Sequence, residues 1–192
     1  MNIIEIDDDW NSIITIAYSK KEVPLKNNEI VKEKNRELTL KFAAKQIGLN
    51  LKDSKYEIIK GEGGKIKDKE GKIIASASIS YSDNFCFVAI APKEYSIGID
   101  VENADRIIEK EIYNYILNNF EIKGKNRPND FITTWNIVEA VTKCLGHGLQ
   151  NTKNIEFIEK NLCKFKGARF SVKNYEKQIS SQKFKIAIAK KC

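Results

Sequence analysis

Val88-Ala89-Ile90-Ala91 and Ile186-Ala187-Ile188-Ala189 are two short alternating segments that stand 98 positions apart in a chain of 192 residues. The same offset relates Lys45-Gln46-Ile47-Gly48 to Lys143-Cys144-Leu145-Gly146, and Glu57-Ile58-Ile59 resembles Glu156-Phe157-Ile158 one position further on. Each match is weak alone. Three in the same order at nearly one offset, in a chain about twice as long as that offset, point to an internal duplication. The pattern around each copy also repeats: a helical stretch ends at a glycine C-cap (Gly48, Gly146), and short strands follow, the last being the Ala-Ile-Ala segment. The expected fold class is α+β. Two tandem α/β halves, residues 1–94 and 95–192, would be related by a pseudo-twofold and form one compact unit with no long linker.

Outward from these anchors, alternation predicts strands over residues 3–6, 13–18, 56–60, 65–67, 73–80, 85–91 and 95–102, then 156–158, 168–173 and 184–189. Helices are predicted over 28–47, with Ile30, Leu38, Phe42 and Ile47 among its apolar positions, over 107–120, and from Pro128–Asp130 to Leu145. Asp7-Asp8-Asp9 reads as a surface turn anchored by Trp10.

With 42% hydrophobic and 31% charged residues the chain is globular rather than disordered. Its longest uncharged apolar run, Phe85 to Pro92, is a strand's length, well short of the roughly 20 residues that span a bilayer. The first residues lack the basic start and apolar core of a signal peptide, so a soluble cytoplasmic protein is expected. Four cysteines without a C-x-x-C pair, and a single histidine, cannot build a common structural zinc site; free, mostly buried thiols are expected. The net charge is +7, and it is uneven: Lys143 to Cys192 holds 12 Lys and Arg against 3 Asp and Glu. Such a basic stretch suits a polyanionic partner, whether nucleic acid, a phosphate-rich cofactor or an acidic protein, or is simply a solvated lysine surface.

Two constellations carry chemistry. In Gly98-Ile99-Asp100-Val101-Glu102, residues i and i+2 of a strand face the same way, so Asp100 and Glu102 project together. Paired carboxylates of that kind suit Mg²⁺, or form an exposed strand end. In Trp135-Asn136-Ile137-Val138-Glu139-Ala140-Val141-Thr142-Lys143, the residues Trp135, Glu139 and Lys143 recur every four positions and form one helical stripe, with an ordinary Glu–Lys surface pair as the plainer reading.

Together these two stretches resemble the hallmark motifs of the 4′-phosphopantetheinyl transferases, which read roughly G-[IV]-D-[IV]-E and W-x-x-K-E-A-x-x-K. Ahead of them Ser78-Ile79-Ser80-Tyr81-Ser82-Asp83 is similar to the family's S-H-S turn, and Glu70-Gly71-Lys72 to its G-K-P element. Two tandem halves resemble the longer, monomeric, surfactin-synthetase-activating type rather than the half-length trimeric synthases. The resemblance implies that Asp100, Glu102 and Glu139 hold Mg²⁺ on the coenzyme A pyrophosphate, and that Glu139 assists deprotonation of the attacking hydroxyl. Lys143 would pair with the phosphates, and Ser80, Tyr81, Lys72 and Arg36 would line the nucleotide end. The implied reaction moves the 4′-phosphopantetheine arm of coenzyme A to a serine of an apo carrier protein, leaving adenosine 3′,5′-bisphosphate. An acidic carrier protein gives the basic C-terminal stretch a partner, with no nucleic acid or membrane involved.

Two positions depart from the family pattern. Val138 stands where the motif has lysine, and Tyr81 where it has histidine. The alternatives are therefore a weakened or inactive coenzyme A or carrier-protein binding homologue and, more remotely, a basic nucleic-acid-binding domain, for which no reader motif is present. His147, between Gly146 and Gly148 just past the helix, reads as a capping residue rather than a base.

Overall fold

The computed structural model describes residues 1–6, 10, 13–21, 29–119, 122–147 and 154–192. Among these residues two antiparallel sheets and three helices are arranged along the chain. Strands β1 (Asn2–Ile4), β2 (Thr15–Lys20), β3 (Lys55–Ile59), β4 (Gly63–Lys67), β5 (Ile73–Ser82) and β6 (Phe85–Pro92) form the first sheet in the order β1-β2-β6-β5-β4-β3. Strands β7 (Ile97–Asn103), β8 (Glu156–Glu159), β9 (Leu162–Phe165), β10 (Ala168–Ile179) and β11 (Gln182–Lys191) form the second in the order β7-β11-β10-β9-β8. Helix α1 (Glu29–Gln46) lies between β2 and β3, and α2 (Lys110–Asn119) and α3 (Phe131–Cys144) lie between β7 and β8. In each sheet a strand precedes a helix, a four-stranded meander follows, and the last strand returns to pair with the first: β2 with β6, β7 with β11. The mixed α+β class is as expected.

Alternation along the strands places the cores. On β6 Phe85, Phe87, Ala89 and Ala91 face one way and join Ile97, Ile99 and Val101 of β7 and Phe184, Ile186 and Ile188 of β11 in a core between the sheets. Cys86, Val88 and Ile90 face the other way, onto Leu40, Ala43 and Ala44 of α1. The duplicated segment behaves likewise: Ala187 and Ala189 face α3 with Ile137, Val138 and Val141. Phe184 meets Phe85 edge-on at 5.0 Å and Phe87 at 5.3 Å, the favourable arrangement for aromatic quadrupoles.

Beyond this core the sheets are joined by polar groups. On β5 Ser76, Ser78, Ser80 and Ser82 lie on one side of the strand and all are buried. The outer edge of β7 would otherwise leave backbone donors unpaired. Ser78 Oγ accepts the Ile99 N–H at 3.0 Å, and Ser80 Oγ accepts the Val101 N–H at 3.2 Å. The Lys65 ammonium, also buried, donates to Ser76 Oγ at 2.8 Å and to the Lys93 and Tyr95 carbonyls, both at 3.2 Å. It thereby ties down the segment that passes from β6 to β7.

Several sequence expectations are corrected. Of the apolar positions named on α1, Phe42 and Ile47 pack partly buried against the core, but Ile30 is 80% exposed and Leu38 is exposed, whereas Asn35, Thr39, Leu40, Ala43 and Ala44 are buried. A polar patch draws that face inward, since Ser19 of β2 donates to Asn35 Oδ1 at 3.0 Å and shares a hydrogen bond with Thr39 Oγ1 at 2.7 Å. Strand β9 was not expected, its four residues being too short to show a period. Cys86, Cys144 and Cys163 are free and buried, and Cys192 is free and exposed. Trp10 is buried, with the Lys173 and Lys190 ammonium groups each 5.1 Å from its ring centre; Asp7 to Asp9 lie outside the described residues. No helix among the described residues is long and apolar enough to cross a membrane.

Candidate active site

Helix α3 begins at Asp130, whose carboxylate accepts the Thr133 N–H at 2.9 Å as an N-cap, and ends where the chain turns at Gly146 with φ +61°. Phe131, Trp135, Glu139 and Lys143 fall on its half-exposed face, while Ile137, Val138, Ala140, Val141 and Cys144 are wholly buried. The four-residue spacing thus places the stripe at the edge of the core, as the periodicity predicts.

The helix lies unusually close to β7 because Gly98 has no side chain. A Cβ there would come 1.9 Å from the Ala140 carbonyl oxygen. That approach sets Asp100, on the same face of β7, beside the helix. Asp100 is 3% exposed, and its Oδ1 accepts from Lys143 Nζ at 2.6 Å and from Ser80 Oγ at 2.9 Å. Lys143 Nζ also stands 3.5 Å from Glu139 Oε2 and 3.4 Å from Ser80 Oγ. Glu102, two residues along β7, is held by Arg106 at 2.7 Å.

The electrostatics follow from this crowding. Burial raises the Glu139 carboxyl, Asp100 raises it further, Lys143 pulls it back and Glu102 adds to the rise, leaving a pKa of about 7. Glu102 is raised as well, by burial first, against the opposing Arg106. Burial disfavours the charge on Lys143, but Asp100 and Glu139 outweigh it and hold its pKa above the ordinary value. Between its ordinary value of 4.5 and about 7, Glu139 binds a proton in the folded chain that it releases when unfolded. Stability therefore falls as pH rises through that window, by on the order of 3 kcal/mol. Thermal melts in chelator should show this decline for the native protein, and a flatter profile for Glu139→Gln, which should melt higher than the native chain at pH 8.

A cleft of about 300 Å³ opens beside Lys143, lined among others by Arg36, Tyr56, Ser78, Tyr81 and His147. The Arg36 guanidinium lies 6.0 Å from the Tyr56 ring centre. Burial raises the Tyr56 and Tyr81 hydroxyls, so both remain neutral donors. An adjoining hollow of about 320 Å³ is bounded by Tyr81, Asp83, Glu102 and Arg106. Tyr81 borders both; Arg36, Lys143 and His147 line the first, and Asp83, Glu102 and Asp105 the second, so a phosphorylated ligand would find its counter-charges in the first.

Not every expected residue is there. Lys72 sits just before β5, eight residues and about 26 Å from Ser80 at strand spacing, and lines a separate surface groove with Gln46 and Ile47. The structure does not bring it to the cleft. Ser80 lies beneath the cleft, its hydroxyl taken by Asp100, Val101 and Lys143, so it positions Asp100 rather than offering itself to a ligand. Val138 is fully buried in the core under α3, so the residue at this position does not reach the cleft. A Val138→Lys replacement should lose on the order of 3–5 kcal/mol by burying an unpaired charge, measured as a lower denaturation midpoint, instead of restoring a phosphate contact. His147 caps as expected, its N–H meeting the Thr142 carbonyl at 3.0 Å, but its ring also lines the cleft.

Tyr56, Ser78 and Arg106 were missed. Arg106 had a signal, a base four residues after the second acid of D-x-E; Tyr56 had none, being a lone aromatic on a short strand. Among the described residues no three His, Cys, Asp or Glu side chains stand ready to hold a metal ion. In the structure the cation between Asp100 and Glu139 is the Lys143 ammonium, and Glu102 is paired with Arg106. The donor set nevertheless fits a hard divalent ion. All its atoms are carboxylate oxygens, and the buried Asp100 Oδ2 has no hydrogen-bond partner.

Residues 96–189, just under half of the chain, match the model of the 4′-phosphopantetheinyl transferase superfamily. The match includes Asp100, Glu102, Glu139 and Lys143; Arg36, Ser80 and Tyr81 lie before it. No curated protein matches the chain significantly.

Proposed function

We propose that the chain is a Mg²⁺-dependent 4′-phosphopantetheinyl transferase acting on an apo acyl or peptidyl carrier protein, with coenzyme A as co-substrate. The observation that carries this reading is the pairing of Asp100 and Glu139 with Lys143, which itself lines a cleft together with Arg36 and His147. These are the positions at which the family's two acidic motifs resemble this sequence. The repeated element order of the two sheets supports a duplication, and the bonds from β5 to β7 support treating residues 1–94 and 95–192 as halves of one unit of the longer, monomeric type. A cytoplasmic setting belongs to the same proposal.

Asp100, Glu102 and Glu139 would hold Mg²⁺, which when bound supplies Lewis-acid polarisation of the coenzyme A pyrophosphate. Arg36, Lys143 and Tyr81 bind and orient the nucleotide and its phosphates, which is most of what phosphoryl-type transfer asks of a protein. The carrier serine oxygen forms the new bond to phosphorus, and the bond to adenosine 3′,5′-bisphosphate breaks. Glu139 accepts the serine proton. The Lys- and Arg-rich C-terminal stretch speeds encounter with an acidic carrier, an effect that weakens with salt.

The test is incubation with coenzyme A, Mg²⁺ and apo carrier proteins from fatty-acid, polyketide and peptide synthesis, read by intact mass. The phosphopantetheine increment on at least one of them is expected; failure on all would overturn the reading.

A further inference from the structure

Two protein cations stand among the three carboxylates. The Lys143 ammonium lies between Asp100 Oδ1 at 2.6 Å and Glu139 Oε2 at 3.5 Å, and the Arg106 guanidinium holds Glu102 Oε1 at 2.7 Å. The two differ in setting: Lys143 is 28% exposed and anchored by Ser80, whereas Arg106 is 54% exposed, just past the end of β7. Asp100 and Glu102 both press on Glu139, and burial at Glu139 and Glu102 makes that repulsion stronger than in water, so the group calls for counter-charge. Asp100 Oδ2 meanwhile remains buried and unbonded, an oxygen left over by the lysine.

We infer that Lys143 and Arg106 are built-in stand-ins for the divalent ion, neutralising the carboxylates until a metal displaces them. The inference rests on the metal-site reading above. Binding of the ion exchanges a fixed internal ammonium for the incoming charge, so the intrinsic affinity for metal is held down. Lys143, released from Asp100, is turned toward the cleft that it already lines, where an anionic ligand compensates it. Metal and phosphate ligand then assist each other's binding, a coupling that is reciprocal by thermodynamic linkage. Arg106 is a positioning residue for Glu102, which it keeps at the rim of the adjoining hollow.

The experiment titrates the full chain with Mn²⁺ alone, without coenzyme A, and reads free Mn²⁺ by electron paramagnetic resonance. Native protein is compared with Lys143→Met and Arg106→Gln, and each is melted with and without Mn²⁺. Removing a buried charge-assisted partner should tighten Mn²⁺ binding about 10- to 100-fold in Lys143→Met; removing the more exposed one should tighten it about 2- to 5-fold in Arg106→Gln. Lys143→Met should also gain more in melting temperature from Mn²⁺ than the native chain does. If Lys143→Met is too unstable to purify, Arg106→Gln decides alone. Mn²⁺ binding that is unchanged or weaker in the variants, with native binding intact, would overturn the stand-in role and leave the metal site standing. Absence of Mn²⁺ binding in all three proteins would overturn the metal-site reading, and this inference with it.

Discussion

Glu139→Gln should lose transfer activity by about 10²- to 10⁴-fold, the range expected when a positioned proton acceptor is removed, while coenzyme A binding measured without metal changes little. The reason is local. Glutamine keeps the shape of the side chain and a place on the α3 stripe, but it takes no proton and brings no charge to the ion. Lys143 retains its stronger partner, Asp100, at 2.6 Å, so the cleft keeps its cation. Coenzyme A affinity by calorimetry and transfer rate by intact mass separate the two contributions. Because ionised Glu139 sits among Asp100 and Glu102, the same variant should be more stable than the native chain at pH 8 in chelator. Loss of activity with a gain in stability is the signature of a residue kept for chemistry at a structural cost. A variant with full activity would remove Glu139 from the mechanism.

Gly98→Ala should damage stability and activity together. The added methyl would lie 1.9 Å from the Ala140 carbonyl oxygen and 2.7 Å from the Cys144 nitrogen. Both are backbone atoms of α3, so no side chain can swing away. The helix has to move off β7 as a body, and overpacking of this kind costs about 3 kcal/mol. Displacement of α3 also carries Glu139 and Lys143 away from Asp100, and misplacement by an ångström is costly where catalysis depends on alignment. A lowered denaturation midpoint is expected, with transfer reduced even well below the melting temperature. An alanine variant as stable and active as the native chain would show that the close approach of helix and strand is not needed.

Much of this was legible along the chain. The two Ala-Ile-Ala segments lie on the last strand of each sheet, β6 and β11, and the two glycine-terminated helical patterns are α1 and α3. Strand alternation put Asp100 and Glu102 on one face, and four-residue spacing put Trp135, Glu139 and Lys143 on one stripe, because both periods are consequences of local backbone geometry. The face of α1 was not legible. Ile30 and Leu38 are apolar yet exposed, while the helix buries Asn35 and Thr39, since Ser19 on β2 supplies their partners.

By itself the amino-acid order determined the α+β class, the elements that carry the acids, and which acids share a face, all matters of short-range periodicity and steric preference. Tertiary packing alone decided that Ser80 is spent on Asp100, that Lys72 is remote, that Val138 is core, and that an ammonium rather than open space lies between Asp100 and Glu139. These outcomes depend on how closely β5, β7 and α3 approach. Such distances arise from contacts between residues far apart in the chain, and no local pattern encodes them.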